Sequence, residues 1–169
     1  MSGWVALLRG VNVGGNNKLP METLKAIGEK AGFTNVRTYI ASGNLVFASD
    51  ETEDAIRDKL DALMEQEAGK KLGVVVRSAA EMADTAKRNP FSDQPGNRVV
   101  AIFADGKLSL DGVRNKADEV LKLGKREVYV HYPSGQADTK LVIPAAKDGT
   151  ARNMNTVAKL AELAKEAGG

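Results

Sequence analysis

The spacing of apolar residues over the first 78 positions constrains the fold more than any other feature of the chain. Trp4 to Leu8 is a short apolar run that reads as a buried strand and ends at Arg9-Gly10. Leu24, Ile27 and Ala31 then recur on one helical face, with Pro20 suited to the first turn and Gly32 to a left-handed stop. From Asn35 to Ala41 the pattern alternates, Val36, Thr38 and Ile40 facing one way and Arg37 and Tyr39 the other. Ser42-Gly43 turns the chain into Asn44 to Ala48, which makes a hairpin. Asp50 and Glu53 have the spacing of a capping box ahead of the stripe Ile56, Leu60, Leu63 and Met64, and Gly69 ends that helix. Leu72 to Arg77 is another apolar strand. The order strand, helix, strand, strand, helix, strand is the ferredoxin-like split unit, an antiparallel sheet with both helices on one face.

The second half is less regular. Ser78 and Glu81 form another capping box, opening a helix that stops near Asn89-Pro90, and Pro90 to Asn97 reads as a linker. Arg98 to Ala104 is a strand. Leu110, Val113, Ala117, Val120 and Leu121 predict a helix ended by Gly124. Arg126 to Tyr132 is a strand containing His131, the single histidine, and Pro133-Ser134-Gly135 is a turn. Thr139 to Ile143 adds a short strand. A last helix runs from Met154 to Ala167 with Met154, Val157, Leu160, Ala161 and Ala164 inward. The expected class is therefore α+β: a ferredoxin-like subdomain over residues 1–78 and a smaller α/β subdomain over residues 79–169 packed on it. No short tandem repeat is visible.

Composition narrows the function classes. A chain of 169 residues with 43% hydrophobic and 27% charged residues has the make-up of a globular protein with a continuous core. No apolar run approaches the roughly 18 residues of a membrane helix, so no membrane partner is expected. The N-terminus has no basic region followed by an apolar core, so no secretory signal is expected. Cysteine is absent, which excludes disulfides, thiol nucleophiles and thiolate metal sites and suits a reducing cytoplasm. A net charge of +2 is too balanced for a coat on duplex DNA.

Candidate site residues concentrate in three polar stretches, Leu7 to Pro20, Arg37 to Asn44 and Thr150 to Thr156, the first two of which carry glycine. The first, between a strand and a helix, is placed to turn backbone N–H groups toward a phosphate. Gly10 and Gly15 have P-loop spacing, but Asn16-Asn17 stand where Lys-Ser/Thr is required, which argues against Mg-nucleotide hydrolysis of that type. The competing reading is a tight turn whose asparagines bond to nearby backbone. Arg9, ending a buried strand, calls for an anionic partner. Arg152, Asn153, Asn155 and Thr156 are expected to open the last helix, where free N–H groups and the dipole favour an anion. The local alternative is that Asn153 or Thr150 merely caps that helix. Tyr39 and Arg37 share a sheet face, a weak match to single-stranded RNA modules, whose aromatic-rich pattern is missing. His131 reads as structural, and no carboxylate spacing marks a metal or acid/base site.

Taken together, these stretches resemble the bacterial domain-of-unknown-function 1697 family. The similarity rests on Leu8 to Pro20, Phe33 to Tyr39, Ser42 to Asn44, the pair Lys140-Leu141, and Thr150 to Val157. Met154 stands where many members carry tryptophan. The resemblance implies an α+β fold and a cytoplasmic bacterial protein, and supplies no catalytic residue. The resulting expectation is a phosphorylated or otherwise anionic, nucleotide-like ligand in a cleft between the halves. Arg9, Asn12, Asn16, Lys18, Lys140, Arg152, Asn155 and Thr156 would hold it, with no metal and no cofactor. The alternatives are a phosphate-ester hydrolase or transferase using the same cleft, or a non-catalytic interaction module. RNA is a secondary partner class, and the sequence leaves both catalysis and oligomeric state open.

Overall fold

A computed structural model describes residues 1–9, 20–40, 43–69 and 72–168. The class is α+β, with two four-stranded antiparallel sheets. The chain divides into two compact units, Met1–Ala83 with Lys159–Gly169, and Asp84–Ala158. The sequence boundary was drawn once, after Ser78; the units divide after Ala83 and again after Ala158.

The first unit holds β1 (Ser2–Leu8), α1 (Met21–Lys30), β2 (Thr34–Thr38), β3 (Asn44–Ser49), α2 (Glu53–Ala68) and β4 (Val74–Ser78). This is the element order expected from the sequence, and the strands lie in the order β2-β3-β1-β4. One face of the sheet presents Ala6, Leu8, Leu45, Phe47, Val74 and Val76 to Leu24 and Ile27 of α1 and Ile56, Leu60 and Met64 of α2, which forms the core. Gly32, with φ of 86°, and Gly69, with φ of 75°, end these helices in the left-handed conformation that lacks a Cβ penalty. The other face, with Val5, Leu7, Val46 and Ala48, is also buried. Gly3 belongs to that face and lies against the backbone of Ala164 and Gly168.

One cap differs from expectation. The N-cap of α2 is Thr52, whose hydroxyl accepts the Ala55 N–H at 3.2 Å, not Asp50. Asp50 is exposed and lies 3.7 Å from the N-terminal amine. A hydroxyl three residues before a free N–H reaches it, whereas Asp50 stands two residues too early. The second capping box forms as read: Ser78 N donates to Glu81 at 3.1 Å and Glu81 N to the Ser78 hydroxyl at 3.1 Å, opening α3 (Ala79–Lys87).

The second unit contains β5 (Val99–Phe103), β6 (Val120–Leu123), β7 (Glu127–His131) and β8 (Thr150–Asn153), ordered β6-β7-β5-β8. Its core is Val100, Ile102, Val128, Val130 and Tyr132, covered by Leu108, Leu110, Leu121, Leu141, Ile143 and Ala146. The helix expected over Leu110 to Leu121 is absent: that segment is irregular, then β6. Gly112 (φ 76°) and Asn115 (φ 60°) sit in the left-handed region, which a helix does not tolerate. Gly124, read as a helix stop, closes the β6–β7 hairpin through its N–H to Glu127 O at 2.8 Å. The expected strand at Thr139 to Ile143 is reduced to a bridge between Arg114 and Val142. The fourth strand is instead β8, which runs directly into α4 (Met154–Gly168).

The two sheets repeat one plan. Each first strand sits between the second strand of a hairpin and a later edge strand, in the orders 2-3-1-4 and 6-7-5-8. Each edge strand, β4 or β8, is followed at once by a helix, α3 or α4. The registers set up equivalences: Val5 faces Val46 and Arg77, as Ala101 faces Tyr129 and Arg152. In the second unit, α1 and α2 are replaced by irregular segments.

Candidate functional site

Residues directly opposite across antiparallel strands share a sheet face. Arg152, Ala101 and Tyr129 are therefore neighbours on one face of the second sheet, as are Thr150, Phe103 and Glu127, with Val99 beside His131. The opposite face is the apolar core, so strand alternation places the chemistry-bearing residues together.

Arg152 is only 7% exposed. Its Nη1 donates to the Thr150 hydroxyl at 2.6 Å and to Ala151 O at 2.9 Å. Burial lowers its pKa to about 10, so the guanidinium remains charged at neutral pH while carrying a desolvation cost. The residue was expected at the start of the last helix; it lies in β8, and the strand buries it where a loop would not. Asn153 performs the capping, its side-chain oxygen accepting the Thr156 N–H at 2.9 Å. Thr156 is buried, and Asn155 is exposed with its amide against Gly96.

The rest of this face is tied down. Tyr129 donates to Thr85 O at 2.8 Å, and Thr85 Oγ1 donates to Glu127 at 3.3 Å. The other Glu127 oxygen accepts the Lys125 N–H at 3.2 Å, closing the hairpin. Burial, and then the Glu127 carboxylate, raise the Tyr129 pKa above the ordinary phenol range. Tyr129 is thus a fixed donor and not a general base at neutral pH. His131 packs on Phe91 with ring centroids 5.5 Å apart.

Arg77, which the sequence reading passed over, is the counterpart of Arg152 in the first unit. It is 1% exposed, and its Nη1 donates to Val76 O at 2.9 Å, the same bond to the preceding carbonyl that Arg152 makes. Each arginine immediately precedes the polar residue that caps a helix, Ser78 or Asn153. The available signal was the one used for Arg9, an arginine closing an apolar strand.

The other candidates are placed as follows. Arg9 follows β1, donates its backbone N–H to Gly73 O at 3.2 Å and lays its side chain over Gly73. Asn12, Asn16, Lys18 and Ser42 lie outside the described residues. Lys140 lines a surface cavity of about 620 Å³ with Asp118, Glu119, Asp138, Ser134 and Thr139. Arg152, Asn155 and Thr156 do not line that cavity. Buried Glu119 accepts from the Thr139 hydroxyl and, at 2.6 Å, from Ala117 N, and these bonds hold its pKa below the ordinary carboxylate range. Tyr39 is half-buried and its carbonyl accepts the Asn44 amide at 3.0 Å. Among the described residues no group of three or more His, Asp or Glu is placed to hold a metal, and no helix is long and apolar enough to cross a membrane.

Fold and site together define an α+β protein with a buried cation on one face of its second sheet. The chain belongs to the DUF1697 family of proteins of unknown function, whose model matches residues 1–129. Its fold is similar to that of the conserved bacterial protein SP0830 from Streptococcus pneumoniae, with a TM-score of 0.78 at 24% identity over 97% of this chain and 99% of that one. No curated protein matches.

Proposed function

We propose that this protein binds a small phosphorylated or otherwise anionic molecule in the bacterial cytoplasm, with Arg152 as the electrostatic anchor. The observation that carries this reading is the burial of Arg152 on β8, which lowers its pKa to about 10. A guanidinium in a poorly solvated site attracts an anion far more strongly than one in water, and a phosphate accepts its donors two at a time. The Thr150 hydroxyl beside it and Asn155 and Thr156 in the first turn of α4 add further polar groups.

Thermal melts test the proposal, using inorganic phosphate, sulfate and a nucleotide panel. A ligand at a hundred times its dissociation constant contributes about 2.7 kcal/mol, which for a chain of this size raises the Tm by about 5–10 °C. Arg152→Met removes that shift. Arg77→Met, at the equivalent position of the first sheet, lowers the melting point but preserves the shift. No shift in the parent with any of these anions, together with a large fall in the Arg152→Met melting point, would refute the binding role and leave Arg152 a structural residue like Arg77.

A further inference from the structure

The sequence contains three Asp-Gly steps, Asp105-Gly106, Asp111-Gly112 and Asp148-Gly149, and the structure treats them differently. An aspartate before glycine can close a ring with its own main chain, because no Cβ shields the glycine nitrogen. Closure needs a carboxyl group free to turn and a nitrogen free to attack. At the first step the carboxyl group is held, since Arg126 Nη2 lies 3.1 Å from Asp105 Oδ1. At the third the nitrogen is held, since Gly149 N donates to Ala146 O at 3.0 Å. At the second neither is held. Among the described residues no hydrogen bond or ion pair engages the Asp111 carboxylate or the Gly112 N–H, and both residues are exposed.

We propose that Asp111 is a site of spontaneous modification, where the main chain is rerouted through an isoaspartyl linkage. The Gly112 nitrogen attacks Cγ of the neutral Asp111 acid. An N–Cγ bond forms, the Cγ–OH bond breaks, and the hydroxyl leaves with the amide proton as water. Solvent water then opens the resulting succinimide. Addition at Cγ restores aspartate. Addition at the main-chain carbonyl breaks its bond to nitrogen and leaves the chain running through Cγ, with a free α-carboxylate. One water leaves and one returns, so nothing is oxidised or reduced.

The position gives the change a structural consequence. Leu108 and Leu110, just before the step, pack on the core of the second unit. Just after it, Arg114 and Val142 exchange backbone hydrogen bonds at 3.0 and 2.9 Å. Gly112 itself lies against Pro144, whose Cγ is 3.1 Å from where a Cβ would stand. The isoaspartyl linkage adds one main-chain carbon between these anchors, so the segment no longer fits both and its cover over the core loosens.

Incubation of the protein in heavy-oxygen water near neutral pH, followed by tryptic digestion in ordinary water, tests the proposal. Each ring opening leaves one heavy oxygen on the peptide. The three steps fall on separate peptides, Val99–Lys107, Leu108–Arg114 and Asp148–Arg152. Label is expected in Leu108–Arg114 about fivefold faster or more than in either of the others, the factor for freeing one bonded group before attack. Asp111→Glu, at an exposed position, cannot form the five-membered ring and removes that label. The aged parent melts at a lower temperature than fresh protein, and aged Asp111→Glu does not. An unlabelled Leu108–Arg114 peptide, equal label in either other peptide, or label that persists in Asp111→Glu overturns the proposal. A labelled parent with an unchanged melting point overturns the loosening.

Discussion

Replacing Gly3 with alanine tests how β1 is held in the first unit. A Cβ on Gly3 falls 1.8 Å from Ala164 O, 2.7 Å from Ala164 C and 3.2 Å from Gly168 N. These are backbone atoms, so no rotamer change relieves the clash. Strand and helix end must separate until the contact grows from 1.8 Å to beyond 3.0 Å, the limit real Cβ atoms respect. That movement loosens the buried Ala164 and Ala167 and the Asn35 Nδ2 bond to Ala167 O at 2.9 Å. Loss of methyl burial at about 0.8 kcal/mol each and of a hydrogen bond at about 1 kcal/mol sets the gross cost. The lower chain entropy of unfolded alanine offsets about 0.4–1 kcal/mol of it. The net destabilisation is about 2 kcal/mol, a Tm fall of about 4–8 °C for a chain of this length. Urea unfolding with an unchanged slope measures it. Gly106→Ala is the control: no atom lies within 4 Å of its Cβ and its φ is not positive, so it is neutral or slightly stabilising. Equal urea midpoints for the two variants would show that Gly3 is not a packing constraint.

Two further outcomes follow from local geometry. Thr52→Ala costs about 1 kcal/mol through loss of the α2 cap, while Asp50→Ala stays within about 0.5 kcal/mol of the parent; a larger loss for Asp50→Ala in urea titration would reverse the assignment. Glu119 has its native pKa lowered by the Thr139 and Ala117 bonds, so its contribution is complete above the ordinary carboxylate pKa and is lost as pH falls through the depressed native value. Glu119→Gln is expected to flatten the acid side of the stability curve, and parallel curves for parent and variant between pH 3 and pH 7 would contradict this.

The first unit was legible because its local signals agree. Leu24 and Ile27 lie on a true helical stripe, and Val36 and Thr38 alternate on a true strand. The second unit misled at Leu110 to Leu121, where helical spacing coexists with backbone that turns left-handed at Gly112 and Asn115. There Leu110 and Leu121 serve the core from a loop and a strand, a tertiary demand that periodicity does not encode. The same replacement of helices by loops hid the repeated strand plan. At the candidate site, Arg152 and Thr156 stood out as polar residues crowded beyond turn needs. Tyr129 and Glu127 did not, because only the strand register reveals that they share the face of Arg152.

The division of α4 bears on how this protein is made. Residues Lys159–Gly169 belong to the unit begun by Met1–Ala83, and Gly3 near the start of β1 packs on Ala164. During synthesis, the ribosome produces the first sheet long before the segment that packs on Gly3. Until that segment emerges, Gly3 and Asn35 lack the backbone they pack on and bond to, while the intervening unit has all its residues and can close. The unit first to be translated is therefore the last to be completed. A nascent chain stalled before Lys159 has the whole first sheet but lacks the C-terminal residues of its unit.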